Sequence, residues 1–511
     1  MKIIKLKVIK IAYLLTLDVG TTSVKASVYN KHLNVLSISI QEYELLTPGN
    51  GIVEIPADTY WEAAVRGIRK VLCESGIPKD EIEVITCTTQ GETLIPVTRE
   101  GNTLSNAIVW LDGRAVEEAE FINKRFLPKV IYSVTGLPEI TALCPVSKVL
   151  WLKKNRPDVY ANAYKILLLE DYLIMKLTGE FVTNPALMCS TGYFNINSDE
   201  LWHDVIKYCG LDADKFPNIV ECGKKVALLS KNAAFEFGVP RSVSVSTGAM
   251  DQVASAVGAG NIKEGIVTET TGTALVVTAF CKEPDYGNSL KVTFYRHAVK
   301  GKYLLTYVNQ TAGIILKWFK DEFCKDLSAK CNVTGSSVYE EMDKIALEVP
   351  PLSNGLILFP HLTGTQYPEM NSSVRGVFLG VGLNVGRKHF IRSILESVGY
   401  MLRENIEAFN EMGVDVKEIR SLGGGARSKL WIQIKADIND KIFVTMEHEE
   451  STSVGAAILG GLSVGLFDNL EAACKLIKRK STIEPKKENI PLYDQAYFKY
   501  RKIYFSIKPF F

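Results

Sequence analysis

The stretch that decides the fold lies near the start of the chain, at Tyr13–Asn30, and reads YLLTLDVGTTSVKASVYN. An apolar run ends in Asp18, a Gly-Thr-Thr turn follows, and apolar and polar residues then alternate. The apolar run predicts a buried strand, and the alternation predicts a half-buried strand. A third alternating segment, Asn34–Tyr43, comes after another short turn. We therefore expect three consecutive strands in an antiparallel meander.

A similar stretch occurs roughly 250 residues later, at 265–280, and reads GIVTETTGTALVVTAF. Each copy has an apolar strand, an acidic residue, a Gly/Thr turn and a second apolar strand, although the turns differ slightly in spacing. Glu269 stands in the second copy where Asp18 stands in the first. Self-similarity at this distance predicts two domains of related fold, each opening with the same hairpin. We expect the domains to be 1–258 and 259–511.

Size and composition narrow the class of protein. A chain of 511 residues is too long for one ordinary core, and 47% hydrophobic with 23% charged residues is typical of a globular protein. The formal net charge of +2 comes without a basic block, which argues against a nucleic-acid partner. The ten cysteines are scattered without a C-x-x-C pair, which is typical of reduced thiols rather than of disulfides or a zinc site.

The first residues, MKIIKLKVIKIAYLL, are both basic and apolar. Lys5, Lys7 and Lys10 interrupt the apolar residues, so no signal-peptide core forms and the alternation predicts a strand or a frayed tail. No segment approaches the roughly 20 apolar residues that span a bilayer. We therefore expect a cytoplasmic protein without a membrane partner.

The remaining elements indicate an α/β fold, because strand and helix patterns are mixed along the chain. The predicted strands lie at Ile82–Thr88, Ala107–Leu111, Ser242–Ser246 and Glu418–Leu422, and the predicted helices at Ala57–Ser75, Arg114–Phe126, Lys429–Ile438, from about Thr452, and at Asp494–Tyr504. The helix that begins near Thr452 is rich in small residues, which favours close packing against a neighbour.

The opening turn fits neither of the common phosphate loops. A Walker loop ends in Gly-Lys-Ser/Thr, and a dinucleotide loop opens a helix, whereas here a strand follows the turn. A plain hairpin turn would explain Asp, Gly and Thr. Because the turn recurs, the two hairpins could instead face each other across a cleft and hold a polyphosphate. Asp18 could then hold Mg²⁺, largely through water.

Two further segments are candidates for chemistry. In Ser246–Gly260, STGAMDQVASAVGAG, Asp251 opens a helix of small residues, as either a helix cap or a general base open to a ligand. In Leu422–Ser428, LGGGARS, three glycines precede a helix pattern, as either a flexible linker or a tight turn. A tight turn of this kind lets a flat ligand or a phosphate approach the backbone at a helix N-terminus.

The motifs occur in the order D-x-G-T-T (Asp18–Thr22), G-x-x-D-Q (Gly248–Gln252), T-T-G-T (Thr270–Thr273), G-G-G-A-x-S (Gly423–Ser428) and S-V-G-A-A (Ser453–Ala457). This order resembles the FGGY family of carbohydrate kinases, which shares the fold of actin, hexokinase and the Hsp70 ATPase. The resemblance runs from about Tyr13 to about Phe467. It implies two ribonuclease-H-like domains around a central cleft, with the sugar bound deep in the cleft and ATP above it.

The resemblance also implies a role for each matching residue. Asp251 would be the base that takes a proton from the sugar hydroxyl, and Asp18 would belong to the Mg²⁺ site. The ATP-binding residues would be Gly20, Thr21, Thr22, Lys25, Gly272, Thr273, Gly313, Gly424, Gly425, Ala426 and Ser428. The sugar-binding residues would be Gln90, Gly91, Glu92, Trp110, Asp112, Asp251 and Gln252. Three of these have alternatives: Lys25 as a solvated strand residue, Trp110 as core packing and Asp112 as a turn residue.

The sugar itself is less constrained than the family. Xylulokinases commonly carry Gln-Met-His-Gly where this chain has Thr88–Gly91, and glycerol kinases carry Gln-Arg-Glu-Thr where it has Gln90–Thr93. The Trp-x-Asp-x-Arg pattern at 110–114 and the overall length favour a ketopentose such as D-xylulose. Glycerol, erythritol, ribulose, gluconate and a non-catalytic sugar sensor of the same fold are the alternatives, and a homodimer is compatible with the family.

Overall fold

A computed structural model describes residues 12–49, 51–286, 292–365 and 371–511. The strand or frayed tail predicted at the N-terminus lies outside these residues. Within the described ranges, every helix is too short or too polar to cross a membrane. The ten cysteines, all at described positions, carry free thiols.

The strands follow one another along the chain with short segments between them. Their bounds are β1 Tyr13–Val19, β2 Ser23–Asn30, β3 Val35–Glu42, β4 Leu46–Gly49, β5 Ile52–Ile55, β6 Ile82–Thr89, β7 Leu94–Val97, β8 Ala107–Ile108, β9 Lys165–Leu168, β10 Val182–Thr183, β11 Phe194–Asn195, β12 Glu200–Leu201, β13 Asn218–Ile219, β14 Lys225–Leu228, β15 Ser244–Ser246, β16 Ile266–Thr271, β17 Leu275–Cys281, β18 Thr293–Arg296, β19 Tyr303–Asn309, β20 Ile357–Phe359, β21 Val377–Leu379, β22 Glu418–Leu422, β23 Ile442–Met446 and β24 Arg479–Ile483.

The helices alternate with these strands. Their bounds are α1 Asp58–Ser75, α2 Val116–Arg125, α3 Pro128–Thr135, α4 Pro145–Asn155, α5 Pro157–Asn162, α6 Leu169–Thr178, α7 Pro185–Met188, α8 His203–Tyr208, α9 Lys231–Phe237, α10 Asp251–Gly258, α11 Gly313–Phe323, α12 Lys325–Thr334, α13 Val338–Leu347, α14 Arg387–Glu411, α15 Lys429–Asn439, α16 Ser451–Ser463, α17 Leu470–Cys474 and α18 Ile490–Ile507. The mixture of helices and strands confirms the predicted α/β class.

The chain divides into two compact units. The first contains the residues up to Gly260 together with Phe294–Tyr303 and Glu450–Ile477. The second contains Asn261–Thr293, Leu304–Glu449 and Lys478–Phe511. The first unit thus takes in two segments that follow the sequence boundary expected at 258/259, one of which includes the small-residue helix α16.

The main sheet of the first unit has the order β14-β15-β6-β1-β2-β3. β1 is antiparallel to β2, and β2 is antiparallel to β3, which confirms the predicted meander. β6 lies parallel to both β1 and β15. Central parallel strands are covered on both faces, which explains why the apolar run of β1 is almost fully buried.

The main sheet of the second unit repeats this strand pattern, in the order β19-β17-β16-β22-β23-β24. The hairpin β16–β17 is antiparallel, and β16 lies parallel to β22, as β1 does to β6. The repeated hairpin that the sequence predicts is therefore confirmed, and each copy begins a sheet of the same plan.

Helices α10 and α16 pack with their backbones almost in contact in the first unit. A Cβ added to Gly258 would lie 1.8 Å from the carbonyl oxygen of Ser451. A Cβ added to Gly455 would lie 1.9 Å from the carbonyl oxygen of Ala254. The predicted close packing of the small-residue helix is confirmed, and glycine is required at both contacts because any side chain would overlap a backbone atom.

Candidate active site

Asp18 lies near the end of β1, where the Gly-Thr-Thr turn begins. The turn is closed by the Gly20 N–H, which donates to the carbonyl oxygen of Ser23 at 3.0 Å. Burial raises the pKa of Asp18 to about 6, while Lys25 lowers this pKa and Glu450 raises it. Asp18 therefore carries a negative charge above about pH 6, at the turn that is predicted to bind phosphate and Mg²⁺.

Lys25 faces Asp18 across the β1–β2 pair. Its Nζ lies 3.9 Å from Asp18 Oδ2 and forms an ion pair with Glu450 at the start of α16. Lys25 is therefore an ion-pair partner and not the solvated strand residue of the alternative interpretation. Glu450 was not predicted, because it stands 425 residues after Lys25 and no motif marks it.

Asp251 is the first residue of α10, directly after the loop that follows β15. The cap position before it is occupied by Met250, so the interpretation of Asp251 as the helix cap is wrong. The Gln252 N–H donates to Asp251 Oδ1 at 2.7 Å. Burial, followed by the charges of Asp18 and Glu92, raises the pKa of Asp251 to about 7, although the bond from the Gln252 N–H lowers this pKa. A carboxylate with this pKa can accept a proton near neutral pH.

The loop that leads to Asp251 is held by a buried glutamate of α6. The Gly248 N–H donates to Glu170 Oε1 at 2.8 Å, and Asn184 Nδ2 donates to the same oxygen at 2.9 Å. A Cβ on Gly248 would lie 1.8 Å from the carbonyl oxygen of Cys87, so only glycine fits. Burial raises the pKa of Glu170 to about 8, and this side chain is therefore protonated at neutral pH. Glu170 was not predicted from the sequence, where its signal is the acidic pair Glu170-Asp171 within the apolar run LLLEDYLIM.

The segment Gln90–Thr93 follows β6. Gln90 Nε2 donates to Thr93 Oγ1 at 3.1 Å, while Gln90 Oε1 is buried without a partner among the described residues. Glu92 has a φ of 31°, which is strained for a residue with a side chain. Burial raises the pKa of Glu92, and a hydrogen bond with Ser190 and the charge of Lys148 lower it. An unpaired acceptor and a strained backbone next to a carboxylate are typical of a ligand site.

Gly91, in the same segment, leaves no room for a larger residue. A Cβ at this position would lie 3.0 Å from Ser190 Oγ and 3.1 Å from Met250 Sδ. The arginine that glycerol kinases carry at this position would therefore need both side chains to move. Gln252 is also a predicted sugar-binding residue of the first unit. Its Oε1 is buried without a hydrogen-bond partner in the described part of the chain.

Trp110 connects the predicted phosphate turn to the predicted sugar segment. Its Nε1 donates to Thr21 Oγ1 at 3.0 Å, and its backbone N–H donates to Thr93 Oγ1 at 3.1 Å. The ring is also packed against the hydrophobic core, as the alternative interpretation expects. Core packing is therefore confirmed for Trp110, and its contact with a sugar stays a prediction.

Asp112 is fully buried and its carboxylate is occupied by the protein. Oδ1 accepts bonds from the Arg114 backbone N–H at 3.1 Å and from Nε at 2.8 Å. Oδ2 accepts bonds from the Val53 N–H at 2.6 Å and from Arg114 Nη2 at 2.7 Å. A carboxylate has about four lone-pair positions, so none is left for a sugar hydroxyl. The structure supports the turn interpretation, and Asp112 is not carried into the proposed site.

The first unit also includes Tyr295, which no motif marks. Burial raises its pKa well above the ordinary value, and the charges of Glu92 and Asp251 contribute to the shift. The residue belongs to β18, in the segment Phe294–Tyr303 that joins the first unit. Tyr295 therefore adds an aromatic hydroxyl to the surroundings of Asp251.

The second unit contains a cavity of about 490 Å³ next to the turn of the second hairpin. Six of the predicted nucleotide residues line it: Gly272, Thr273, Gly313, Gly424, Gly425 and Ser428. Ala426 lies in the same short 3₁₀ turn as two of these glycines. Residues that line the cavity and were not predicted include Lys317, Tyr339, Asp343 and Trp431. The structure thus brings three separate sequence motifs to one cavity.

The glycines of this cavity meet the backbone closely. A Cβ on Gly313 would lie 2.3 Å from the carbonyl oxygen of Gly272, and one on Gly425 would lie 2.7 Å from Thr271 Cβ. Gly424, in contrast, faces open space. Ser428 Oγ accepts the Trp431 N–H at 3.0 Å and caps α15, so the glycine turn is tight rather than a flexible linker. A surface of bare backbone at a helix N-terminus fits a nucleotide.

The acid of the second hairpin has a different environment from Asp18. Glu269 and Lys435 form a fully buried ion pair, with Lys435 Nζ 2.8 Å from Glu269 Oε1. Lys435 Nζ also donates to Thr271 Oγ1 at 2.7 Å, and Thr271 Oγ1 donates to Glu269 Oε2 at 2.7 Å. Glu269 therefore stabilises the turn through its bonds with Thr271 and Lys435, although it matches Asp18 in sequence. That the two hairpins face each other stays a prediction.

Comparisons with known proteins agree with these features. Residues 13–258 match the N-terminal domain of the FGGY family of carbohydrate kinases, and residues 266–464 match the C-terminal domain of this family. A xylulose kinase of Bacillus subtilis is 28% identical over 497 residues, or 97% of each chain. A gluconokinase of Bacillus subtilis is 28% identical over 467 residues, covering 91% of this chain and 90% of the other. The crystal structure of a ligand-bound xylulose kinase from Lactobacillus acidophilus has the same fold, with a TM-score of 0.88 at 22% identity over 97% of this chain and 98% of the other.

Proposed function

The chain belongs to the FGGY family of carbohydrate kinases, and from this premise we propose that it transfers the γ-phosphate of ATP to a hydroxyl of a ketopentose such as D-xylulose. The observation that carries the proposal is Asp251. Its carboxylate opens α10 from a glycine-containing loop, and its pKa of about 7 suits a general base. Its motif, G-x-x-D-Q, resembles that of the family's catalytic base.

In the proposed reaction, an oxygen of Asp251 accepts the proton of the sugar hydroxyl while this hydroxyl attacks the γ-phosphorus of ATP. The bond from the γ-phosphorus to the bridging oxygen breaks, and ADP leaves. Positioning of the reactants and compensation of charge supply most of the catalysis in phosphoryl transfer. Glu170 assists by holding the N–H of Gly248, and so fixes the loop on which Asp251 stands.

The residues at Asp18 fit a magnesium ion that keeps most of its water. Among the described residues there is no group of three or more His, Cys, Asp or Glu side chains that could enclose a metal. Mg²⁺ commonly binds through one or two carboxylates and the phosphates of its nucleotide. Asp18 would hold Mg²⁺ in this way, and the ion would supply positive charge to the phosphates.

Each unit has a glycine-rich surface suited to part of a nucleotide. We assign the phosphates to Gly20, Thr21, Thr22, Gly272 and Thr273, and the adenosine to Gly313, Gly424, Gly425, Ala426 and Ser428. Bare backbone N–H groups and threonine hydroxyls are suited to phosphate oxygens. Lys25 would reach a phosphate only if it left its ion pair with Glu450.

The charges near Asp251 favour a neutral sugar over a sugar acid. The neighbours that act on the pKa of Asp251 are the carboxylates of Asp18 and Glu92. The amine of Lys148 also lies near Glu92, but it is bonded to three backbone carbonyls. A gluconate carboxylate in this place would meet like charges, which disfavours its binding. The glycine at position 91, where a glycerol kinase has arginine, makes glycerol a weaker candidate.

The experiment is sugar-dependent release of ADP, measured with D-xylulose, D-ribulose, erythritol, glycerol and D-gluconate. We expect D-xylulose to give the highest kcat/KM and Asp251→Asn to lower kcat by about 100- to 10,000-fold. Asp58→Asn is the matched control, because Asp58 is also the first residue of a helix in the first unit and lies outside the site. Binding of a sugar by calorimetry without turnover would instead identify a non-catalytic sensor.

A further inference from the structure

Lys148, in α4, is a fully buried lysine at the base of the predicted sugar site. Its Nζ donates to the carbonyl oxygens of Val109 at 2.9 Å, Trp110 at 3.1 Å and Glu92 at 3.3 Å. Glu92 belongs to the loop after β6, and the other two residues follow β8. One ammonium group therefore joins two loops that are separated along the chain.

The three bonds match the chemistry of the ammonium group. A lysine has three N–H donors, and here three carbonyl oxygens accept from it. Burial of a charged amine is unfavourable unless its donors are satisfied. A purely apolar side chain of similar length would fill the same space without this penalty. The buried amine is therefore best explained by its bonds to the backbone carbonyls of Glu92, Val109 and Trp110.

One of the held residues is strained. Glu92 has a φ of 31°, a conformation that persists only when the surroundings impose it. The bond from Lys148 ends on the carbonyl of Glu92 itself, so it fixes the peptide plane next to the strained residue. The bond to the carbonyl of Trp110 does the same for the residue whose ring contacts Thr21.

We propose that Lys148 is a positioning residue for the acceptor sugar. It joins the Glu92 loop and the Val109–Trp110 segment into one binding surface. Lys148 acts through these two segments and does not touch the sugar. The inference rests on the proposed function, because it assigns Glu92 and Trp110 to the sugar.

The charge of Lys148 adds a pH dependence. Burial lowers the pKa of Lys148 to about 8, the charges of Glu92, Asp112 and Cys144 raise this pKa, and the charge of Arg114 lowers it. Above about pH 8 the neutral amine has two N–H donors for three carbonyls, so the two segments are held less firmly. The KM for the sugar should then rise, and the KM for ATP should rise less.

The test is Lys148→Met, with Lys129→Met as the matched control, because Lys129 is an exposed lysine of α3 in the same unit. Loss of hydrogen bonds from a charged group should raise the KM for D-xylulose by roughly 10- to 100-fold. The kcat at saturating sugar should stay within about twofold. The KM for ATP should rise less than the KM for the sugar, because Lys148 reaches the predicted phosphate turn only through the bond of Trp110 to Thr21. Lys129→Met should behave as the wild type.

An unchanged KM for the sugar in Lys148→Met would overturn the inference, and so would an equal loss in the KM for ATP. If this variant does not fold, the test is made on the wild type. Its KM for D-xylulose should rise between pH 7 and pH 9, the range that contains the pKa of Lys148. A KM that does not change over this range would contradict the inference. A wild type that releases no ADP with any sugar is a different result, because it removes the proposed function itself.

Discussion

Replacement of Asp251 by asparagine should abolish turnover and at the same time stabilise the folded protein. The loss of turnover follows from the loss of the general base, and we expect kcat to fall by about 100- to 10,000-fold. The gain in stability follows from the raised pKa of Asp251, since burial disfavours the charged carboxylate that catalysis needs. Asparagine has a similar shape and is never charged.

The magnitude follows from the shift in pKa. The pKa of Asp251 rises from its ordinary value of 3.8 to about 7. A shift of about 3 units, at about 1.36 kcal/mol for each unit, sets an upper limit of about 4 kcal/mol. Because the side chain is only half-buried, solvent reduces this value, and we expect Asp251→Asn to raise the free energy of unfolding by about 1–3 kcal/mol at pH 8.

The sign depends on pH. The folded protein binds the Asp251 proton more tightly than the unfolded chain does, so the wild type loses stability as the pH rises from about 4 to about 7. Asp251→Asn lacks this loss. The variant and the wild type should therefore have equal stability near pH 4, and the difference should reach its maximum above about pH 7.

The assay is thermal unfolding of the full chain at pH 5 and pH 8, together with kcat from pH 5.5 to pH 9. The kcat of the wild type should fall about tenfold for each pH unit below 7, since the base becomes protonated. Asp58→Asn should give no stabilisation at pH 8, because contacts with Tyr172 and Lys176 lower the pKa of Asp58 in the folded state. A less stable Asp251→Asn at pH 8, or a wild-type kcat without an acid limb, would refute the reasoning.

Three further changes test the framework of the site. Lys435→Met should lower the free energy of unfolding, measured in urea, by about 3–5 kcal/mol, because Glu269 stays buried without its partner. The double variant with Glu269→Gln should recover part of this loss. Strictly additive losses in the two single variants and the double variant would contradict the pairing. Gly455→Ala should cost about 1–3 kcal/mol and lower kcat, because its Cβ would lie 1.9 Å from the carbonyl oxygen of Ala254; unchanged thermal unfolding would contradict this. Glu170→Gln should be as stable as the wild type below about pH 4.5 and more stable above about pH 8, because burial raises the pKa of Glu170. Equal unfolding temperatures of the variant and the wild type at pH 9 would contradict this cause.

The local elements of the site were predictable from the sequence. The hairpins β1–β2 and β16–β17, the start of α10 at Asp251 and the glycine turn before α15 all lie where the patterns place them. Each depends on interactions over a few residues: alternation that buries one face of a strand, turn residues that reverse it, and small residues that admit a close neighbour. The repeat also predicts two sheets of one plan, because equal local patterns form equal hairpins.

The surroundings of these elements were not predictable in the same way. Asp18 and Glu269 match in sequence, yet Glu269 is neutralised by Lys435, which lies 166 residues away. Asp112 belongs to a sugar motif, but its oxygens hold Arg114 and the N–H of Val53. A carboxylate's role depends on which donors surround it, and these donors come from segments that local patterns do not connect.

The sequence by itself determined the α/β class, the repeated hairpin, the family and the position of the candidate base. All of these follow from local periodicity and from the order of the motifs. Only the tertiary structure decided that α16 belongs to the first unit, that Lys148 joins two loops, and that the pKa of Asp251 lies near 7. These properties arise from burial and from contacts between distant segments. Burial and distant contacts exist only in the folded chain, where they set the charge and the position of each side chain.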